Sequence, residues 1–434
     1  MTTRRIIHLY IILIALILSA CNLSQAGTPP ADSPAAPPSS VTTNGLIIAW
    51  VERGNLMVWR DGDDEARQLV SGAVVRPFIA PDGAHIAFTR GPQSLPDTLW
   101  VVDIDGVAER QLVGQGAVHG DIGNRLFIAQ VAWQDESVLL FNTVRQDDFS
   151  AVLRDDLYRA EIHTREVSLL LSPGEGGRFT ISPDGEYVAV VYPGTYGNQD
   201  GRIRVIDMLS QERDNLLFFV GAATGAEAKF YPAVHWSADS ESFRVAIPDK
   251  DLVYNDVAAP PTTLWRFTVD GQRERLGAAP ASFFGQPQWP PSGDALVYVQ
   301  RTGNAASNQF DLVVADDNGE NAQVYASGSV GALQAPQWLP SAEGFIYAQG
   351  EPGMLWFGTP DAAPRRLPNA NERAFNPVFA GDDRYVFATA PTGIYELRLA
   401  SLNDIDATSR RIATVDHPFP VFDAVVVEMS NGNE

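Results

Sequence analysis

The sequence repeats itself, and this limits the possible folds more than any other feature. The run Arg76-Pro77-Phe78-Ile79-Ala80-Pro81-Asp82-Gly83-Ala84-His85-Ile86-Ala87-Phe88 returns as Phe179-Thr180-Ile181-Ser182-Pro183-Asp184-Gly185-Glu186-Tyr187-Val188-Ala189-Val190. Weaker copies run from Pro232 to Val245, Pro287 to Tyr298, Pro336 to Tyr347 and Pro377 to Ala388, with one shorter copy from Trp133 to Phe141. With the large apolar residue before the turn as a ruler, the copies fall at Ile79, Trp133, Ile181, Trp236, Trp289, Trp338 and Phe379. Their spacings are 54, 48, 55, 53, 49 and 41 residues. Each period fits one small antiparallel sheet, too small to bury its own faces, so the copies must stack on one another.

Each copy reads as four strands. A short strand ends at the ruler position, a Pro-Asp-Gly or related turn reverses the chain, and an apolar run such as His85-Ile86-Ala87-Phe88 makes the second strand. Leu99 to Val102 supplies a third, and Asp105-Gly106 turns into a fourth around Arg110-Gln111-Leu112. No long helical periodicity separates these runs, which excludes a βαβ alternation. The Ser182-Pro183-Asp184-Gly185 turn, and Leu99 to Gly106 followed by Arg110-Gln111-Leu112, resemble the TolB-type β-propeller repeat. The resemblance covers nearly all of residues 45–429 and implies an all-β fold. It leaves function open, because such repeats serve scaffold proteins, peptidase propellers and sugar-processing enzymes alike.

Seven complete copies leave two fragments. Leu46 to Val51, Leu56 to Trp59 and Arg67 to Leu69 read as second, third and fourth strands without a first. Pro420 to Phe422 with Ala424 to Val427 reads as a first strand with nothing after it. Joined, they make a composite blade that closes the ring and removes its free edges. The expectation is a single β-propeller of eight four-stranded blades; seven is the alternative if one weak copy is an insertion.

The amino terminus reads differently. Arg4 and Arg5 precede an apolar run from Ile6 to Leu18, the layout of a signal peptide and short for a transmembrane helix. Leu18-Ser19-Ala20-Cys21 resembles the lipobox of bacterial lipoproteins, and Cys21 is the single cysteine of 434 residues. The resemblance implies cleavage after residue 20 and lipidation of Cys21, anchoring the protein to an envelope membrane on its extracytoplasmic side. Residues 22–44 are rich in Pro, Ala, Ser and Thr, a tether with too little apolar surface to fold. Residues 45–429 are then the propeller, and 430–434 a disordered tail. Without a second cysteine no internal disulfide forms, so stability rests on core burial.

The chain carries 31 basic and 53 acidic residues, net −22, and loses Arg4 and Arg5 with the signal peptide. So acidic a body is repelled by nucleic acid and by anionic lipid surfaces, which excludes nucleic acid as a partner.

Long connections cluster on one predicted face: Thr143 to Asp156, Tyr192 to Arg202, Phe219 to Lys229, Pro248 to Thr263 and Arg301 to Asp311. Excess loop length is where binding residues tend to sit. The polar and aromatic candidates there are Asp147, Asp148, Tyr192, Tyr196, Asp200, Tyr254, Asn255, Arg301 and Gln309. Signals for chemistry are few. The six histidines are scattered, no pair has zinc-ligand spacing, no G-x-S-x-G elbow occurs, and Gly114 to Gly120 lacks the spacing of a phosphate loop. Asp103 with Asp105 and Asp316 with Asp317 sit at hairpin turns, where Asp is common for backbone reasons. No cofactor, metal or catalytic residue is assigned, and the sequence sets no oligomeric state. The expectation is a membrane-anchored binding or scaffold protein that presents the long-loop face to a protein, peptide or glycan. The alternative is a propeller enzyme, hydrolase or lyase, with its site at the mouth of the central channel.

Overall fold

The structure, a computed structural model, describes residues 43–429 apart from 93–95, 115–124, 147–150, 195–199, 223–228, 252–259, 282–284, 303–308, 330–335, 351–353, 368–373, 391–392, 404–408 and 418–419. Among the described residues there is no α-helix, and eight antiparallel sheets form the blades of a ring. Blade 1 joins Thr43–Glu52, Asn55–Arg60 and Arg67–Val70 to the last strand, Phe422–Met429. The other seven follow in order, blade 2 from Val74, blade 3 from Arg125, blade 4 from Arg178, blade 5 from Val234, blade 6 from Gln288, blade 7 from Gln337 and blade 8 from Ala374.

Packing between sheets makes the ring. Side chains alternate between the two faces of a strand, and each face meets a different neighbour. Ile47 and Ala49 of blade 1 pack with Ile86 and Phe88 of blade 2. Leu46, Ile48 and Trp50 pack the other way, with Val386 and Leu397 of blade 8. Six further cores join the remaining successive pairs of blades.

The terminal strands pair as the leftover fragments require, in an unbroken register from Thr43↔Met429 to Trp50↔Phe422. The last strand serves both neighbours. Val425 and Val427 enter the core shared with blade 2, while Phe422, Ala424 and Val426 enter the core shared with blade 8.

Two blades depart from four strands. In blade 3 the second strand, Val138–Gln146, runs on past its partner, and Ala151–Leu153 folds back on it as a fifth strand. In blade 6 the first strand shrinks to one bridge, Gln288↔Val297, because Pro287, Pro290 and Pro291 remove the N–H groups a longer ladder needs.

The recurring motif residues hold the blades to each other. Trp133 Nε1 donates to the carbonyl of Phe78 at 3.0 Å, Trp236 to Thr180 at 3.1 Å and Trp338 to Gln288 at 3.2 Å. In each case the acceptor stands one residue before the ruler position of the preceding blade. The turn glycine works the same way. Gly185 has φ +77°, and a Cβ there would lie 2.4 Å from the carbonyl oxygen of Gln134 in blade 3. Where the Pro-Asp-Gly spelling is lost, the left-handed residue is kept, by Ser240 at φ 62° and Ala342 at φ 68°.

Candidate functional site

First strands of four blades converge on a cavity of about 650 Å³, a convergence that requires these strands to face the axis. Arg76 comes from blade 2, Ala129, Gln130 and Val131 from blade 3, Arg178, Phe179 and Thr180 from blade 4, and Val234 from blade 5. Val144 from the end of the second strand of blade 3, with Val152 and Leu153 from the fifth strand that pairs with it, adds a wall. Lys229 and Tyr231 add a corner from the connection between blades 4 and 5. Wall and corner lie on the face on which the long loops were expected. The size is that of pockets that take small ligands, roughly 300–1,000 Å³.

Buried polar groups brace the walls. Gln130 stands at a break in the ladder between Ile128 and Val131, and its side-chain amide reaches blade 4, donating to Phe179 O at 2.6 Å and accepting from Phe179 N–H at 3.3 Å. Asn142, fully buried, accepts from Gln130 N–H at 2.9 Å and donates to Gly177 O at 2.9 Å. These amides act as an extra rung between two sheets.

Beneath the corner lies Asp155, 2% exposed and in left-handed backbone at φ 56°. One carboxylate oxygen accepts from Lys229 Nζ at 2.6 Å, the other from the Tyr231 hydroxyl at 2.7 Å. Burial, then the adjacent Asp155 charge, pushes the Tyr231 phenol well above its ordinary range. Asp156, with no exposure, is raised by burial, although hydrogen bonds from Thr143 and the charge of Arg154 oppose this. Arg154 pairs with it at 3.1 Å.

The cationic lining is the chemical signature of the cavity. Arg178 stacks over the Tyr231 ring at 5.1 Å and Arg76 over Phe78 at 5.4 Å. Lys229 lies 5.4 Å from the Tyr192 ring, which also carries Arg202 at 4.9 Å. Among the described lining residues there is no carboxylate and no imidazole. In a chain of net charge −22 with two lysines, this is a local inversion of sign.

Of the sequence candidates, Tyr192 closes the strand Tyr187–Tyr192 and is buried beside the cavity. Asp200 opens the next strand of blade 4 and is exposed. Arg301 and Gln309 belong to blade 6, where strand pairing extends to Thr302↔Gln309, so they are strand ends of a blade that supplies none of the described cavity lining. Cys21, Asp147, Asp148, Tyr196, Tyr254 and Asn255 lie outside the described residues. The sequence reading missed Arg76, Gln130, Arg178, Lys229 and Tyr231. A signal existed: Arg76, Gln130 and Arg178 each stand three residues before the ruler position of their copy.

No family model matches the sequence, and no curated protein matches it. Among solved structures, a prolyl endopeptidase is 14% identical over 81% of this chain and 50% of its own, with a TM-score of 0.52. TolB from Acinetobacter baumannii is 18% identical over 65% of this chain, with a TM-score of 0.36, and the chain spans 62% of its length. An oligogalacturonate lyase solved in complex with manganese is 15% identical over 84% of this chain and 98% of its own, with a TM-score of 0.47. At such identities the likeness is one of fold alone.

Proposed function

We propose that this protein is a lipid-anchored, extracytoplasmic binding protein that holds its partner on the long-connection face, with the axial cavity as the seat of the contact. The cavity carries the reading: four blades build it, and its lining offers fixed cations, bonded amides and aliphatic walls. These groups hold and orient a ligand. Among the described lining residues the one phenol, Tyr231, donates its hydroxyl proton to Asp155, and burial beside that charge disfavours its ionisation. Anchoring rests on Leu18-Ser19-Ala20-Cys21 and the tether at 22–44, which set the propeller off the membrane surface.

Capture from detergent-solubilised membranes of the native host tests the reading. Ala129 is exposed in the cavity wall, so Ala129→Trp fills the space without disturbing a core. The native protein is expected to retain a partner that Ala129→Trp loses while unfolding at the same temperature. Mass spectrometry of the mature amino terminus is expected to show acylated Cys21. An unmodified terminus elsewhere removes the anchor, and equal capture by Ala129→Trp removes the cavity from the contact.

A further inference from the structure

Resting on that binding reading, we propose that the cavity takes a short peptide segment of the partner bearing a carboxylate beside aliphatic side chains, the carboxylate held by Arg76 and Arg178. Among the described residues neither arginine forms an ion pair, although the chain has an excess of acid. The carboxylate whose field reaches Arg76, Asp423, spends its oxygens on the backbone N–H groups of Ile79 at 2.7 Å and Ala424 at 3.0 Å. Lys229 is neutralised by Asp155. Among the described residues the two guanidiniums are therefore the lining charges held in no ion pair. Each lies over an aromatic ring, which supports its plane and leaves its N–H edges free for the two-point bond a carboxylate accepts.

The rest of the lining favours a peptide over an acidic sugar. Sugars dock their C–H faces on open aromatic rings. Here the Tyr231 face is covered by Arg178, and the Tyr192 ring is covered by Arg202 and Lys229. The surfaces left open are aliphatic: Val144, Val152 and Leu153 from blade 3, with Val152 37% exposed. Valine- and leucine-sized side chains fill such walls, and a neighbouring Asp, Glu or terminal carboxylate meets the arginines.

The mature full-length chain in detergent micelles is panned against a random short-peptide display library and, in parallel, against an immobilised series of uronic-acid oligosaccharides. Recovered peptides are expected to carry an acidic residue next to Val, Leu or Ile, and to bind more weakly as salt is raised. Arg76→Gln and Arg178→Gln are each expected to raise the Kd of a recovered peptide about tenfold, as does replacing its carboxylate by the amide. Arg275→Gln, on the outer strand of blade 5, leaves it unchanged. Both cavity arginines are exposed, so unchanged thermal unfolding is expected and reports that the fold is intact. Recovery of peptides without acid, equal affinity in both arginine variants, or retention of oligosaccharides with no peptide recovered overturns the assignment. The two readings fail separately. If Ala129→Trp loses the membrane partner while the double arginine variant keeps it, the binding face stands and the carboxylate assignment falls. If Ala129→Trp captures normally, both fall.

Discussion

His235 shows how one residue ties stability to pH. It stands in the first strand of blade 5, with its ring 5.7 Å from that of Trp289. Its Nε2 is enclosed without a hydrogen-bond partner, and a hydrogen bond to the backbone of Pro287 serves the ring's other side. Burial lowers its pKa to about 4, and the Pro287 bond only partly opposes the shift. A histidine depressed in the folded state binds its proton more readily when unfolded. Its neutral form therefore gives full stability above the unfolded value of about 6.5, and that stability is lost as pH falls towards 4. The expected loss is ~2–3 kcal/mol, moderated because the residue keeps some contact with solvent. His235→Gln removes the titration. Urea unfolding of both proteins from pH 7.5 to 4.5 should show the native protein weakening more steeply, and parallel curves would contradict the assignment.

At the scale of the element, the motif residues are contacts between blades as much as turn formers. Gly185 needs both a left-handed backbone and the absence of a Cβ, since Gln134 of blade 3 crowds the site. Gly271, at φ +91° in a turn of blade 5, needs only the backbone, because a Cβ there meets nothing within 4 Å. Gly271→Ala is expected to cost ~1–2 kcal/mol from the backbone alone. Gly185→Ala should cost at least ~1 kcal/mol more, as overpacking is added. Chemical denaturation of the two variants measures the difference, and equal losses would mean that the turn gives way freely to the blade before it. Trp133, Trp236 and Trp338 follow the same logic, each tying its blade's first strand to that of the blade before, while Trp289 bonds Asp317 within its own blade. A sequence reader sees them as aromatic anchors, and only the packed ring shows where their N–H groups go.

Across the whole molecule, closure depends on one strand. Phe422–Met429 supplies the first strand of blade 1 and apolar side chains to the cores on both sides of it. Truncation after Asp416 bares the edge of Thr43–Glu52 and empties part of two cores at once. The truncated protein is expected to unfold at lower temperature and to elute as aggregate on size exclusion. Unchanged unfolding and a monomeric elution would mean that the ring holds without its closing strand. The strand order, the eight blades and this closure were legible in the sequence, because turn residues and alternating apolar runs are local and recur at a fixed offset. The shortened first strand of blade 6 was legible only in part, since Pro287, Pro290 and Pro291 announce a lost ladder without saying where the chain goes. The fifth strand of blade 3 was not legible, because Ala151–Leu153 pairs with an overhang that only the folded hairpin creates. The cavity was least legible. Its described lining is drawn from positions 76 to 234, from one residue to several in each of four blades, and no linear pattern joins them. The blade follows from local chemistry, since backbone turns and side-chain alternation act over a few residues. The tertiary structure alone decided which side chains face the axis together, because ring closure brings distant copies into one wall and inverts the sign of charge there.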